Sequence, residues 1–200
     1  IWGFLQPFIF MLTYVIVFQY ILKTGSAGND PYVVWFLPGM AMWQCINDTV
    51  MSASASIRTY SYLVKKVVFP VDIIPIISII ASSFVALFLF VVSIVVSCLF
   101  NYVPNFLQVI YIIIAAYAFM ISFTRFTSAV TTLVPDFSQL LGILMQLFFW
   151  FTPVVWNLSM LSNHPTILKI MKCMPFNYLV SGFRDAFISS NIVTEGHYIY

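Results

Sequence analysis

Charge is what this chain has least of. Eight Lys and Arg with six Asp and Glu make up 7% of its 200 residues, against roughly 25% in a soluble domain. So few ionic side chains cannot clothe a core in a water-facing surface, which excludes a water-soluble enzyme. The net charge is only +2, and no run of Lys or Arg tracks a phosphate backbone, so nucleic acid is excluded as a partner. Cysteine is sparse too. Cys45, Cys98 and Cys173 stand far apart, without the close pairs of a zinc site or disulfide framework, and read as buried structural thiols. None of the seven glycines is followed by Lys, so the chain has no P-loop to cradle nucleotide phosphates. His-Glu-x-x-His and Gly-x-Ser-x-Gly are both missing, and His164 and His197 lie apart in a polar tail. No catalytic, cofactor-binding or metal-ligating set assembles.

Apolar residues fill the space that charge leaves. The chain is 62% hydrophobic and 18% aromatic, with a mean hydropathy of +1.01, so its solvent is mostly lipid. The few charges punctuate it. Residues 1–22 carry none, and Phe4 to Leu22 is a first span, with Pro7 in its first turn, where proline costs little. A polar, Gly-containing loop from Thr24 to Pro31 follows, then a second span from Val34 to Ile57. Arg58 to Asp72 is the most charged short loop. Beyond it, Ile73 to Thr124 is free of charge and would reach about 78 Å as one helix at ~1.5 Å per residue, against a bilayer core of about 30 Å. It must therefore turn once, and Asn101-Tyr-Val-Pro-Asn105 supplies the turn. That sets span three at Ile74–Phe100 and span four at Phe106–Leu133. Span five runs from Gln139 to Trp156, after a short turn at Pro135-Asp136.

The tail reads as two short amphipathic helices, Thr166–Cys173 and Asn177–Ser189, broken at Pro175. Asn177 is the expected N-cap of the second, whose Tyr178, Leu179, Phe183 and Phe187 share a side while Arg184 and Asp185 fall elsewhere. Both are too short to span and lie at the interface or dip back into the membrane. The fold class expected is thus an all-α, polytopic integral membrane protein. It has five transmembrane helices and two interfacial or re-entrant ones in a single transmembrane domain over residues 1–200. Three cations in the 58–72 loop against one in the first loop put 58–72 on the cytoplasmic side and the tail outside. A sixth span beyond Tyr200 would return the chain, and an N-terminal segment is expected ahead of Ile1.

Two charges fall inside spans. Asp48 lies about ten residues before Arg58 and Arg125 about ten before the Pro135-Asp136 turn, so each is roughly 15 Å deep at ~1.5 Å per residue. A lone charge at mid-bilayer costs about 2.5–3.5 kcal/mol on insertion scales. Equal depth makes Asp48 and Arg125 a candidate ion pair; the alternative is that each faces an aqueous cavity or a partner subunit. Aromatic residues crowd spans one and five. Tyr14, Phe18, Phe148, Trp150 and Trp156 are candidates to line a pathway for sugars, whose C–H faces sit well on aromatic planes. Lipid-facing packing and an interfacial belt explain the same composition.

Four segments in order resemble the membrane subunits of type-2 ABC exporters, in the branch that exports polysaccharide, O-antigen and teichoic acid. They are Asn29-Asp-Pro-Tyr-Val-Val-Trp-Phe-Leu-Pro-Gly39 with Trp43; Leu63-Val-Lys-Lys-Val-Val-Phe-Pro70 with Pro75; Phe149-Trp-Phe-Thr-Pro-Val-Val-Trp156; and Met174-Pro-Phe-Asn-Tyr-Leu-Val-Ser-Gly-Phe-Arg-Asp185. The resemblance implies a permease homodimer working with two copies of a separate P-loop ATPase. ATP and Mg would be bound by that partner, with no cofactor on this chain. It implies a coupling helix in the 58–72 loop, with Arg58, Tyr62, Lys65, Lys66, Phe69 and Pro70 meeting the ATPase, and a channel lined by spans one and five. The expected cargo is a lipid-linked polysaccharide or teichoic-acid-type polymer crossing the bacterial cytoplasmic membrane. A drug or lipid exporter on the same scaffold is one alternative. An ion-coupled secondary transporter using Asp48 and Arg125 as a relay is another.

Overall fold

The computed structural model describes residues 2–21, 31–62, 71–156 and 165–188, and all its regular structure there is helical. In chain order the helices are α1 (Trp2–Val15), continued by a π-helical stretch (Ile16–Ile21), α2 (Tyr32–Thr59), α3 (Ile73–Leu99), α4 (Phe106–Leu133), α5 (Phe137–Phe151), α6 (Pro165–Lys172) and α7 (Pro175–Ile188).

α2 is the axis of the bundle and touches α1, α3, α4, α5 and α7. Every residue from Tyr32 to Trp43 is buried, the mark of a helix surrounded by others. Small buried residues (Gly39, Ala41, Ala53, Ser54 and Ser56) let its neighbours approach closely. Two hydroxyl pairs tie it sideways, Ser54 to Thr127 of α4 at 2.6 Å and Ser52 to Ser82 of α3 at 2.9 Å.

Among the described residues, α3 and α4 are the two helices long and apolar enough to cross a membrane. Along α3 the exposed residues Ile77, Ile80, Phe84, Leu87, Val91 and Val95 recur at helical spacing, an outward apolar stripe that suits lipid. The expected turn between them is present: Asn101 takes a left-handed φ of 64°, which Asn tolerates better than most residues, and the Asn105 side chain accepts from the Gln108 amide to cap α4. α1 and α5 are apolar but shorter, at 14 and 15 residues. α1 begins at Trp2, so Pro7 falls in its second turn rather than its first. Span five also ends earlier than expected. The helix stops at Phe151 because Pro153 forces Thr152 into an extended conformation.

The tail helices are less alike than their sequences suggest. α6 is largely exposed, whereas α7 is buried over most of its circumference between α2 and α4. Its first turn reaches deep: Phe176 meets Trp43, Phe119, Phe123 and Phe148 at ring distances of 5.0–6.1 Å, and Phe119 is roughly 20 Å along α4 at ~1.5 Å per residue. Its last turn is back at the start of α4, where Ala186 O accepts from the Asn105 amide at 2.7 Å. α7 therefore runs back along α4 inside the bundle. Asn177 is not its N-cap, since the helix starts at Pro175, a favoured first position. Instead the buried Asn177 side chain donates to Met171 O at 2.9 Å and accepts from Ser181 at 2.9 Å, which fixes the α6–α7 elbow. Of the three thiols only Cys45 is buried; Cys98 and Cys173 are exposed, Cys98 because it lies on the outward face of α3.

Candidate functional site

Three helices each contribute one face to an open cleft of about 510 Å³. From α1 come Gln6, Phe10 and Tyr14, four residues apart. From α2 come Met40, Trp43, Gln44, Asn47, Asp48 and Met51, and from α5 Gly142, Met145, Gln146, Phe149 and Trp150. Each set follows the three-and-four spacing of a single helix face. A second hollow of about 370 Å³, on the α3 side of α1, shares Gln6, Gln44, Asp48 and Met51 and adds Ser52 and Ser82. The cleft thus has a polar floor and aromatic walls.

Asp48 sits at the centre of the floor. Gln44 Nε2 donates to both carboxylate oxygens, at 3.0 and 3.1 Å, and Asn47 Nδ2 donates at 3.4 Å. Arg125 lies elsewhere, exposed on α4, and among the described residues no ion pair joins the two. The expected pair fails because Asp48 faces α1 and α5, while Arg125 is on a helix that does not border the cleft; amides on its own helix satisfy Asp48 instead.

The aromatic walls are organised by contact. Trp43 meets Phe149 at 5.6 Å, and Phe149 meets Tyr14 at 6.3 Å and Trp150 edge-on at 5.6 Å. Of the five rings singled out from sequence, Tyr14 and Trp150 line the cleft, and Trp150 is 59% exposed. Phe148 turns the other way and stacks on Phe176 at 5.0 Å. Phe18 stacks on Tyr32 at 5.8 Å, and Trp156 donates its indole N–H to Trp150 O at 3.1 Å. Arg58 and Tyr62 are exposed at the end of α2; Lys65, Lys66, Phe69 and Pro70 lie outside the described residues.

Sequence reasoning missed the amides Gln6, Gln44, Asn47 and Gln146, because it weighed intramembrane charge and not intramembrane polarity. Four polar side chains on one face of otherwise apolar helices were the available signal. It also missed Arg184, expected away from the apolar side of α7. The structure buries its guanidinium behind α2, 3.7 Å from the Trp35 ring centroid. Nη2 donates to Pro153 O at 2.8 Å and Val154 O at 3.0 Å, carbonyls freed by the end of α5. Room for it comes from Gly39, where a Cβ would lie 2.5 Å from Nη2. Three segments far apart in sequence, at 35–39, 153–154 and 184, close on one cation and brace the back of the helix that carries Asp48.

The model of the family described as ABC-2 type transporter matches residues 1–188. The chain belongs to that family. Among its curated relatives, the O-antigen export system permease protein RfbA of Myxococcus xanthus is 21% identical, over 94% of this chain and 72% of the relative. The protein of the same name from Klebsiella pneumoniae is 21% identical, over 98% of this chain and 74% of the relative. In the ABC-2 family the membrane subunit works with a separate ATPase, and this chain is accordingly the integral membrane subunit of a type-2 ABC exporter. α3 and α4 are its two clear apolar spans.

Proposed function

We propose that this ABC-2 subunit carries a lipid-linked polysaccharide outward across the bacterial cytoplasmic membrane, as a homodimer driven by two copies of a separate P-loop ATPase. The observation that carries this reading is the cleft itself. Aromatic rings on its walls suit the apolar faces of sugars, and carboxylate and amide groups on its floor suit their hydroxyls. The names of two relatives as O-antigen export permeases point the same way. α1, α2 and α5 complete five crossings with α3 and α4. The short exposed end of α2 with Arg58 and Tyr62 begins a cytoplasmic coupling segment that continues through Lys65, Lys66, Phe69 and Pro70, where fixed cations form charge-assisted contacts with the ATPase. ATP and Mg are bound by that partner.

Isolation from native membrane in mild detergent tests the assembly. A P-loop ATPase is expected to co-purify in stoichiometric amount with the wild type and to be lost from the Lys65→Glu, Lys66→Glu double variant, which still inserts. Co-purification unchanged by the charge reversal sinks the coupling assignment. In vesicles, the reconstituted complex is expected to move a lipid-linked oligosaccharide in an ATP-dependent way. Trp150→Ala is expected to lower that transport at least tenfold while ATPase association persists; equal loss of both would make Trp150 a packing residue.

A further inference from the structure

The floor of the cleft has one sign of charge. Asp48 is the sole ionisable acid or base among the described residues that line either hollow, apart from the Tyr14 phenol. Among the described residues no cation lines either hollow to offset it: Arg125 is on the outer surface of α4, and Arg184 is sealed behind α2 against two carbonyls. The amide N–H groups nearest the carboxylate are already committed to it, from Gln44 at 3.0 and 3.1 Å and from Asn47 at 3.4 Å. Gln44 and Asn47 each keep an amide N–H and a carbonyl, and Gln6 and Gln146 add their own, so neutral donors and acceptors surround the one carboxylate. A hydroxyl, an acetamido N–H or an ammonium group finds partners here. A phosphodiester or uronate meets a carboxylate of its own sign there.

Resting on the polysaccharide-export reading above, we propose that Asp48 is a specificity-determining residue: it selects polymers whose repeats are neutral or ammonium-bearing sugars and turns away polymers with an anionic charge in every repeat. Repulsion is the discriminating element, because stacking on the exposed Trp150 is available to either kind of sugar. A teichoic-acid-type polymer, with its phosphate in each unit, is then a poor substrate even though the scaffold is shared.

The test uses the full permease–ATPase complex in phosphatidylcholine vesicles. It is offered two oligomers of equal length on the same lipid carrier, a neutral hexose chain and a hexuronate chain, so that the rings and any charge on the carrier are common to both. The reading is the ratio of their ATP-dependent transport rates. The wild type is expected to favour the neutral oligomer at least tenfold. Asp48→Asn is expected to shrink that ratio at least fivefold, whatever happens to the two rates separately, and Asp48→Glu to hold it within twofold of wild type. Equal rates or a preference for the polyanion in the wild type overturn the proposal, with no variant needed. So does a ratio that Asp48→Asn leaves unchanged. A complex that hydrolyses ATP yet moves neither oligomer refutes the export reading itself, and selectivity with it; a polyanion preference refutes selectivity alone.

Discussion

A guanidinium at 4% exposure needs partners on each side, because burying an unpaired charge costs far more than any single contact returns. Arg184 has the Trp35 ring on one face and two carbonyls at its tip, and it lies directly over Gly39. We expect Gly39→Ala to push the guanidinium off these partners and to destabilise the protein by about 1–3 kcal/mol, the usual range for overpacking. The contrast is Gly182→Ala, where the added Cβ would meet Ile112 Cδ1 at 2.8 Å. That atom is the swinging end of a side chain, and alanine gains helix propensity, so the net change should stay within about 1 kcal/mol. Thermal melts of the purified complex separate the two, and equal losses would remove the special role of Gly39. Asp48 and Arg125 offer a second test at this scale. Their separation predicts that the destabilisations of Asp48→Asn and Arg125→Gln add to within about 0.5 kcal/mol; a coupling well above that would restore the ion pair. Charge alone marked both residues in the sequence, but only side-chain direction shows that one faces a cleft and the other does not.

At the scale of elements, periodicity and punctuation located α2, α3 and α4 closely, whereas α5 ends earlier than expected because of Pro153. α4 has the predicted ends, and α3 and its turn at Asn101–Asn105 differ by a single residue. Prediction was poorest where an element is surrounded. α7 reads as amphipathic, yet α2 and α4 enclose it, and the residue on its nominal polar side, Arg184, is drawn inward by carbonyls that a proline break exposes on another helix. Asn177 shows the same limitation. Its residue type suggested a cap, whereas its bonds to Met171 O and Ser181 hold the α6–α7 elbow. Asn177→Ala removes the side-chain donor to Met171 O, which keeps the Met174 amide at 3.1 Å, and the acceptor for Ser181; this should cost about 0.5–1.5 kcal/mol and loosen α6 before the rest of the bundle. Limited proteolysis is the check, with faster cutting near Cys173 expected; an unchanged cleavage pattern would mean that the elbow is held by Phe176 and its aromatic neighbours instead.

For the whole molecule, the proposed topology makes a sided prediction. With α3 as a crossing, Tyr62, which precedes it in the chain and is 55% exposed, and Val103, which follows it and is 80% exposed, lie on opposite sides of the membrane. In a background with Cys98 and Cys173 changed to Ser, a membrane-impermeant maleimide is expected to label Val103→Cys from outside intact cells. Tyr62→Cys should be labelled only after the inner face is opened, and Cys45, being buried, should stay silent. Labelling of both introduced thiols from one side would reject a crossing between them. Sparse charge and long apolar runs were enough to establish a helical membrane chain and its main helix boundaries, because lipid permits so few ways to satisfy a backbone. The order of four short segments was enough to suggest the family. Which helix stands at the centre was not legible, nor that Trp35, Gly39, Pro153 and Arg184 converge, nor that amides from α1, α2 and α5 share one cleft. Those features depend on how faces of separate helices are rotated toward one another. That rotation is settled by close packing and by satisfying buried polar groups across distances in sequence that no local pattern records.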